Sequence, residues 1–132
     1  MQAAGSFEVR TSPLAPDESL AGTAIGRFAL DKTFHGDLDA TSKGLMLSAG
    51  NLARGVAGYV AIEQVMGSLH GRSGSFALQH NGTMGGGAFD LSVKVVPGSG
   101  TGELDGISGE MNILIEAGNH GYTFVYELPA SA

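Results

Sequence analysis

Few residues in this chain can carry chemistry: there is no cysteine, there are four histidines, and thirteen acidic residues face seven basic ones. All four histidines lie within two residues of a glycine, in His35-Gly36, His70-Gly71, His80-Asn81-Gly82 and His120-Gly121. An imidazole at such a strand end can move protons or ligate a metal, and several could ring the mouths of a closed sheet. It can equally be a solvated turn residue, and spacing does not show whether the four converge. A histidine metal site needs at least three at one mouth, so no metal ligand is assigned. His80 stands apart because it continues the alternation of Phe76 and Leu78 and shares their face. His35 has the opposite parity to Phe28, Leu30 and Phe34.

Glu63 is the second candidate, in Tyr59-Val60-Ala61-Ile62-Glu63 with Tyr59 on its own face. A carboxyl group in an apolar cavity is a potential general acid or base. The parity of this strand stays open, because Val60, Ile62 and Met66 compete for the inside, and if they win Glu63 is solvated. Tyr122, Phe124, Tyr126 and Leu128 form a stripe on one strand face, either core or, through the hydroxyls, a ligand contact. Arg72, just after His70-Gly71, either pairs with an acidic neighbour or joins a ligand rim. Asp37 and Asp39 share a face beside a turn, where carboxylates are ordinarily solvated. Familiar signatures are missing. Gly71-Arg72-Ser73-Gly74-Ser75 lacks the last glycine of a nucleophile elbow, and no His-Glu-x-x-His occurs. Gly100-Thr101-Gly102 has no Gly-Lys-Ser/Thr ending, and Glu103 and Asp105 would repel a phosphate. The candidate set is Glu63 and His80 for catalysis, with Tyr59, Tyr122, Tyr126, His35 and Arg72 for ligand contact; no cofactor is expected.

The elements that must position these residues follow from punctuation and alternation. The 132 residues form one domain, 42% hydrophobic and 15% charged, too apolar for a disordered chain. A net charge of −6 argues against a nucleic-acid groove, and no apolar run approaches the ~20 residues of a membrane helix. The N-terminal residues show neither the basic nor the apolar part of a secretory signal, which predicts a cytoplasmic protein. Twenty-two glycines demand many turns and bends. The element Gly-x-Phe-x-(Val/Leu) recurs at Gly5, Gly26, Gly74 and Gly87, each a glycine bend followed by two apolar residues on one face of a strand. Strands are expected over about 6–11, 23–35, 38–47, 56–69, 73–84, 89–96, 101–104, 109–116 and 122–128. Residues 56–69 could suit a helix by residue type, but eight residues between Gly58 and Gly67 make a poor one. With short connections and no room for crossover helices, the sheet should be antiparallel. About eight such strands can close into a small barrel, which removes exposed edges, and glycines within strands at Gly26, Gly44, Gly58 and Gly74 supply the kinks that closure needs. A β-sandwich is the alternative.

Four stretches, Phe28 to Gly44, Gly58 to Glu63, Leu69 to His80 and Gly100 to Gly109, resemble a bacterial family of about this length known as a domain of unknown function. The resemblance runs from about Gly5 to Leu128. It implies an eight-stranded antiparallel barrel similar to those of plant allene oxide cyclases and dirigent proteins, which bind apolar substrates and guide cyclisation or coupling. Their functional residues do not map onto this chain, so their activity is not implied. Two functions stay open. In one, a small apolar ligand enters the lumen, with isomerase or cyclase chemistry at Glu63 or His80. In the other, the lumen is filled and the barrel is a non-enzymatic structural or interaction module, as it would be if Phe28, Phe76, Phe89 and Phe124 met at the centre. Apolar outer faces further predict a homo-oligomer, without nucleic-acid or membrane partners.

Overall fold

The computed structural model describes residues 1–130. Its strands are β1 (Gln2–Pro13), β2 (Gly26–Gly36), β3 (Leu38–Asn51), β4 (Val56–Leu69), β5 (Arg72–Gly85), β6 (Ala88–Val95), β7 (Thr101–Gly102), β8 (Ser108–Glu116) and β9 (Asn119–Glu127). Every pairing is antiparallel. The ladder runs β1-β2-β3-β4-β5-β6-β8-β9, and β1 pairs with β9 from Gln2↔Val125 to Phe7↔His120, closing an eight-stranded barrel. The two-residue β7 adds to β5 at Gly74 and Ser75. A sandwich would leave this seam open. No helix among the described residues is long and apolar enough to cross a membrane.

Several observed strands differ from the expected ones: β3 runs on to Asn51 and β9 starts at Asn119, and the chain around β7 and β1 shows why such bounds move. Residues 101–104 leave the sheet after Gly102, where Leu104 N–H donates to Thr101 and Ile107 N–H to Leu104; these turns fold both apolar side chains against the barrel core. The first strand is longer than 6–11 because it is paired on both sides, with β2 and β9.

Alternation along the strands sorts the lumen from the outer surface. Inside lie Phe7, Phe34, Leu38, Val65, Leu69, Phe76, Leu78, Met111, Tyr122, Phe124 and Tyr126, all buried. They concentrate at the end that holds the 36–37 and 70–71 turns. There Phe76 stacks on Phe124 at 5.8 Å and Phe124 on Tyr126 at 5.3 Å. Each such side chain removed from water contributes about 1.5–3 kcal/mol, so this end holds the barrel together. Val60, Ile62 and Met66 point outward and are exposed, as are Leu45 and Leu47 on β3. The opposite faces of β4 therefore belong to Glu63 inside and to Val60, Ile62 and Met66 outside, which resolves the parity left open above.

Gly44 on β3 makes this arrangement possible. It pairs across the ladder with Glu63, and a Cβ there would collide with the Ile62 carbonyl oxygen and stand 2.6 Å from Glu63 Cα. The bare backbone lets β4 coil tightly over β3 where Glu63 turns inward.

Candidate functional site

The barrel is filled at one end and hollow at the other. Between the connections β1–β2, β3–β4, β5–β6 and β8–β9, a cavity of about 360 Å³ opens to solvent. Its walls are mostly apolar, among them Leu30, Met46, Leu91 and Ile113, with Phe89 at the rim, 55% exposed. Phe28 is only half-buried, and Phe89 stays at the rim while Phe76 and Phe124 stack together, so the four phenylalanines do not meet and the lumen is not plugged. Gly82 helps to shape the wall: a Cβ there would stand 2.5 Å from the Tyr59 ring, so the glycine leaves room for it.

Three ionisable side chains meet at the floor. Lys32 on β2, Glu63 on β4 and His80 on β5 all point inward, and their side chains are 6%, 0% and 5% exposed. Lys32 Nζ lies 2.9 Å from Glu63 Oε2, and His80 Nε2 lies 3.4 Å from the same oxygen. Lys32 Nζ also sits over the Phe7 ring at 5.2 Å and near the Phe34 ring at 5.9 Å, within cation–π range of the first. Lys32, His80 and Tyr59 line the cavity, whereas Glu63 stands behind them. Burial opposes the charge on Glu63, but the His80 contact and the attraction of Lys32 outweigh it and hold the carboxyl below the usual glutamate range. Burial, followed by the nearby Glu63 charge, pushes the Tyr59 phenol up, so it stays a hydroxyl donor. The ion contacts do not satisfy every group. Both Glu63 oxygens, His80 Nε2 and Ser42 Oγ are buried without an aligned hydrogen bond among the described residues. Ser42 lies directly across the ladder from Lys32.

Of the residues singled out from sequence, the structure brings Glu63, His80 and Tyr59 together and leaves four elsewhere. Tyr122 is at the filled end, where its hydroxyl accepts from Leu38 N–H at 2.9 Å and donates to the His35 carbonyl at 2.9 Å. It ties the 36–37 turn to the core and faces no ligand space. Tyr126 is likewise buried there, its hydroxyl bonded to His70 Nδ1. Burial pushes both phenols up. His35 points outward, 3.5 Å from Glu8, as its parity requires. Arg72 is exposed at the same far end, beside Glu103 and Asp105. The histidines are dispersed as well: His70 faces Asp37 at 3.6 Å, and His120 packs on Phe7 at 5.2 Å. Among the described residues no group of three or more histidines and carboxylates is placed to hold a metal.

Lys32 was missed by the sequence reading. Its signal is parity: in Phe28-Ala29-Leu30-Asp31-Lys32-Thr33-Phe34 the lysine occupies the face of three apolar residues, and an inward cation needs a carboxylate opposite. A second groove, of about 660 Å³, lies on the outside over Leu45, Leu47, Val60 and Ile62, with the Asp17–Arg27 ion pair at its edge. It contains no buried side-chain cluster comparable to the lumen floor.

The sequence model of a family described as a protein of unknown function, DUF3224, matches residues 3–126. The crystal structure of a protein of unknown function from the DUF3224 family of Shewanella oneidensis MR-1 is 47% identical, with a TM-score of 0.89, covering 99% of this chain and 98% of that one. No curated protein matches the chain.

Proposed function

The chain belongs to the DUF3224 family, a membership that assigns no activity, and we propose from the site itself that the barrel binds a small, mainly apolar molecule in its open end, with isomerase or cyclase chemistry available there. The observation that carries this reading is the buried Lys32–Glu63–His80 cluster on the floor of an apolar cavity of about 360 Å³. Such a volume suits one small ligand. Burying two charges for stability alone is a poor exchange, because desolvation offsets most of the attraction, and apolar residues of similar size would hold a core as well.

Titration with the neutral, fluorescent N-phenylnaphthylamine tests it. Saturable binding is expected, with loss in Leu91→Trp, which fills the cavity from β6 without touching the charged cluster. Native mass spectrometry of freshly purified protein, compared with the denatured mass, reports any retained molecule and the subunit number together. Absence of saturable binding, or equal binding by Leu91→Trp, would overturn the reading in favour of a barrel that only its own side chains occupy.

A further inference from the structure

Resting on that reading, we propose that the ligand is an uncharged carbonyl compound and that the site moves a proton on the carbon next to the carbonyl. Charge and position at the cavity floor carry the argument. Lys32 and Glu63 already neutralise one another at 2.9 Å in an enclosed, apolar setting. A carboxylate ligand would bring a second negative charge beside Glu63 against a single ammonium, a costly arrangement at low dielectric. A hydrocarbon would offer the Lys32 ammonium at the cavity floor no acceptor. A neutral carbonyl oxygen avoids both penalties. The Lys32 ammonium carries three N–H donors, its Nζ stands 2.9 Å from Glu63 Oε2 alone among carboxylate oxygens, and the side chain lines the cavity.

The same placement assigns the proton. Glu63 is fully enclosed and does not line the cavity, and its carboxyl is held in the ionised form, which makes it a positioning group. His80 does line the cavity, and its Nε2 is turned to Glu63. With the proton on Nε2 facing the carboxylate, Nδ1 is the basic nitrogen. In the step, His80 takes the proton from the carbon α to the carbonyl. The C–H electron pair becomes the new C=C bond, and the carbonyl π pair moves onto oxygen, where Lys32 stabilises the enolate. Return of the proton to the same carbon restores the ketone with its α-hydrogen exchanged, delivery to the far end of a conjugated system gives a double-bond isomer, and either regenerates the base. No oxidant, reductant or water is consumed. Tyr59, a retained hydroxyl donor whose ring centre lies 6.3 Å from that of His80, is a second group at the wall able to meet the oxygen.

Three probes of similar shape separate the outcomes: tetralin, 2-tetralone and 2-naphthoate. Binding is followed by backbone amide shifts at Tyr59, Leu91 and Ile113, and chemistry by deuterium uptake at the α-carbons of 2-tetralone in D₂O. The expected result is binding of the ketone at least tenfold tighter than of the other two. Uptake should be about 10²–10⁴-fold faster than in buffer, the range of a positioned acid or base. It should be lost in His80→Gln, and lost in Leu91→Trp even if the His80 variant does not fold. Equal binding of tetralin, preference for 2-naphthoate, or uptake no faster than in buffer would overturn this inference while leaving apolar binding intact. Failure of all three probes to shift the wall residues would overturn the apolar-ligand reading as well.

Discussion

Replacing Lys32 with methionine should convert Glu63 from a stabilising group into a destabilising one, and pH reveals the change of sign. In the native barrel the Glu63 carboxyl is held below its ordinary value of 4.5. Its contribution to stability is therefore fully present above that pH and is lost as pH falls through the lower folded value. Lys32 supplies much of this: at a separation of 2.9 Å and an effective dielectric of about 20, the attraction is ~6 kcal/mol, part of which only offsets the cost of burying both groups. In Lys32→Met, which keeps an unbranched chain one atom shorter and removes the charge, burial dominates. The folded state must then take up a proton at Glu63 that the unfolded chain does not hold. Stability then falls as pH rises, the reverse of the native sign. Breaking a buried pair from one side costs about 3–5 kcal/mol at pH 7, and the deficit relative to the native protein should shrink as the pH is lowered towards 4. Adding Glu63→Gln removes the stranded charge and should recover about 2 kcal/mol or more of the loss at pH 7. Urea denaturation of the native protein, the single variant and the double variant at pH 4, 5.5 and 7 measures all three quantities. A Lys32→Met deficit that is the same at every pH, or a double variant less stable than the single one, would refute the electrostatic account of the cluster.

Other substitutions test how the barrel is built. Gly44→Ala should destabilise by about 1–3 kcal/mol, because the added Cβ must force β3 off β4 behind Glu63. Gly58→Ala, whose Cβ would meet its nearest neighbour at 3.6 Å, should stay within about 1 kcal/mol of the native protein; thermal melts compare the two, and equal melts would discount the close approach. Tyr122→Phe should cost about 1–3 kcal/mol by stranding the Leu38 N–H and the His35 carbonyl, with N-phenylnaphthylamine binding unchanged. Weakened probe binding in a folded Tyr122→Phe protein would mean that the filled end communicates with the cavity. Leu91→Trp should abolish probe binding while far-UV circular dichroism keeps the β signature, since Leu91 is only partly buried and lines the mouth.

The barrel was legible because its signals are local. Alternation over Phe76-Ala77-Leu78 and Tyr122-Thr123-Phe124, glycine bends and short turns each point to paired strands, and closure follows once every edge needs a partner. The site was legible only in part, for a reason specific to β4. Both parities of residues 59–66 carry apolar side chains, so alternation cannot choose between Glu63 and Ile62 for the lumen. The choice is made by long-range partners: Lys32 supplies the opposing charge from β2, and Gly44 supplies the space on β3. A single strand contains neither fact. His80 was legible because Phe76 and Leu78 fix its face; the same parity puts His35 outside, against its expected place among the ligand contacts.

The tyrosines show why facing the lumen does not mean facing the site. Tyr59, Tyr122 and Tyr126 all point inward, yet only Tyr59 reaches the cavity. The difference lies along the barrel axis, which alternation does not report. Strands β8 and β9 bring Met111 and Phe124 to one end, and Leu104 and Ile107 from the chain after β7 join the same core, so Tyr122 and Tyr126 are enclosed by packing. At the other end the inward positions of β2, β3 and β4 are Leu30, Met46 and Tyr59, which line the open cavity. Lys32, Glu63 and His80 lie at the boundary between the two halves. There the filled end excludes water from below and the cavity admits a molecule from above. A charged cluster deeper in the core would have no access to a ligand, and one nearer the mouth would be screened by solvent and lose most of its electrostatic leverage. The position of the cluster at this boundary, more than the identity of any one residue, is what makes proton chemistry on a bound molecule physically reasonable in this barrel.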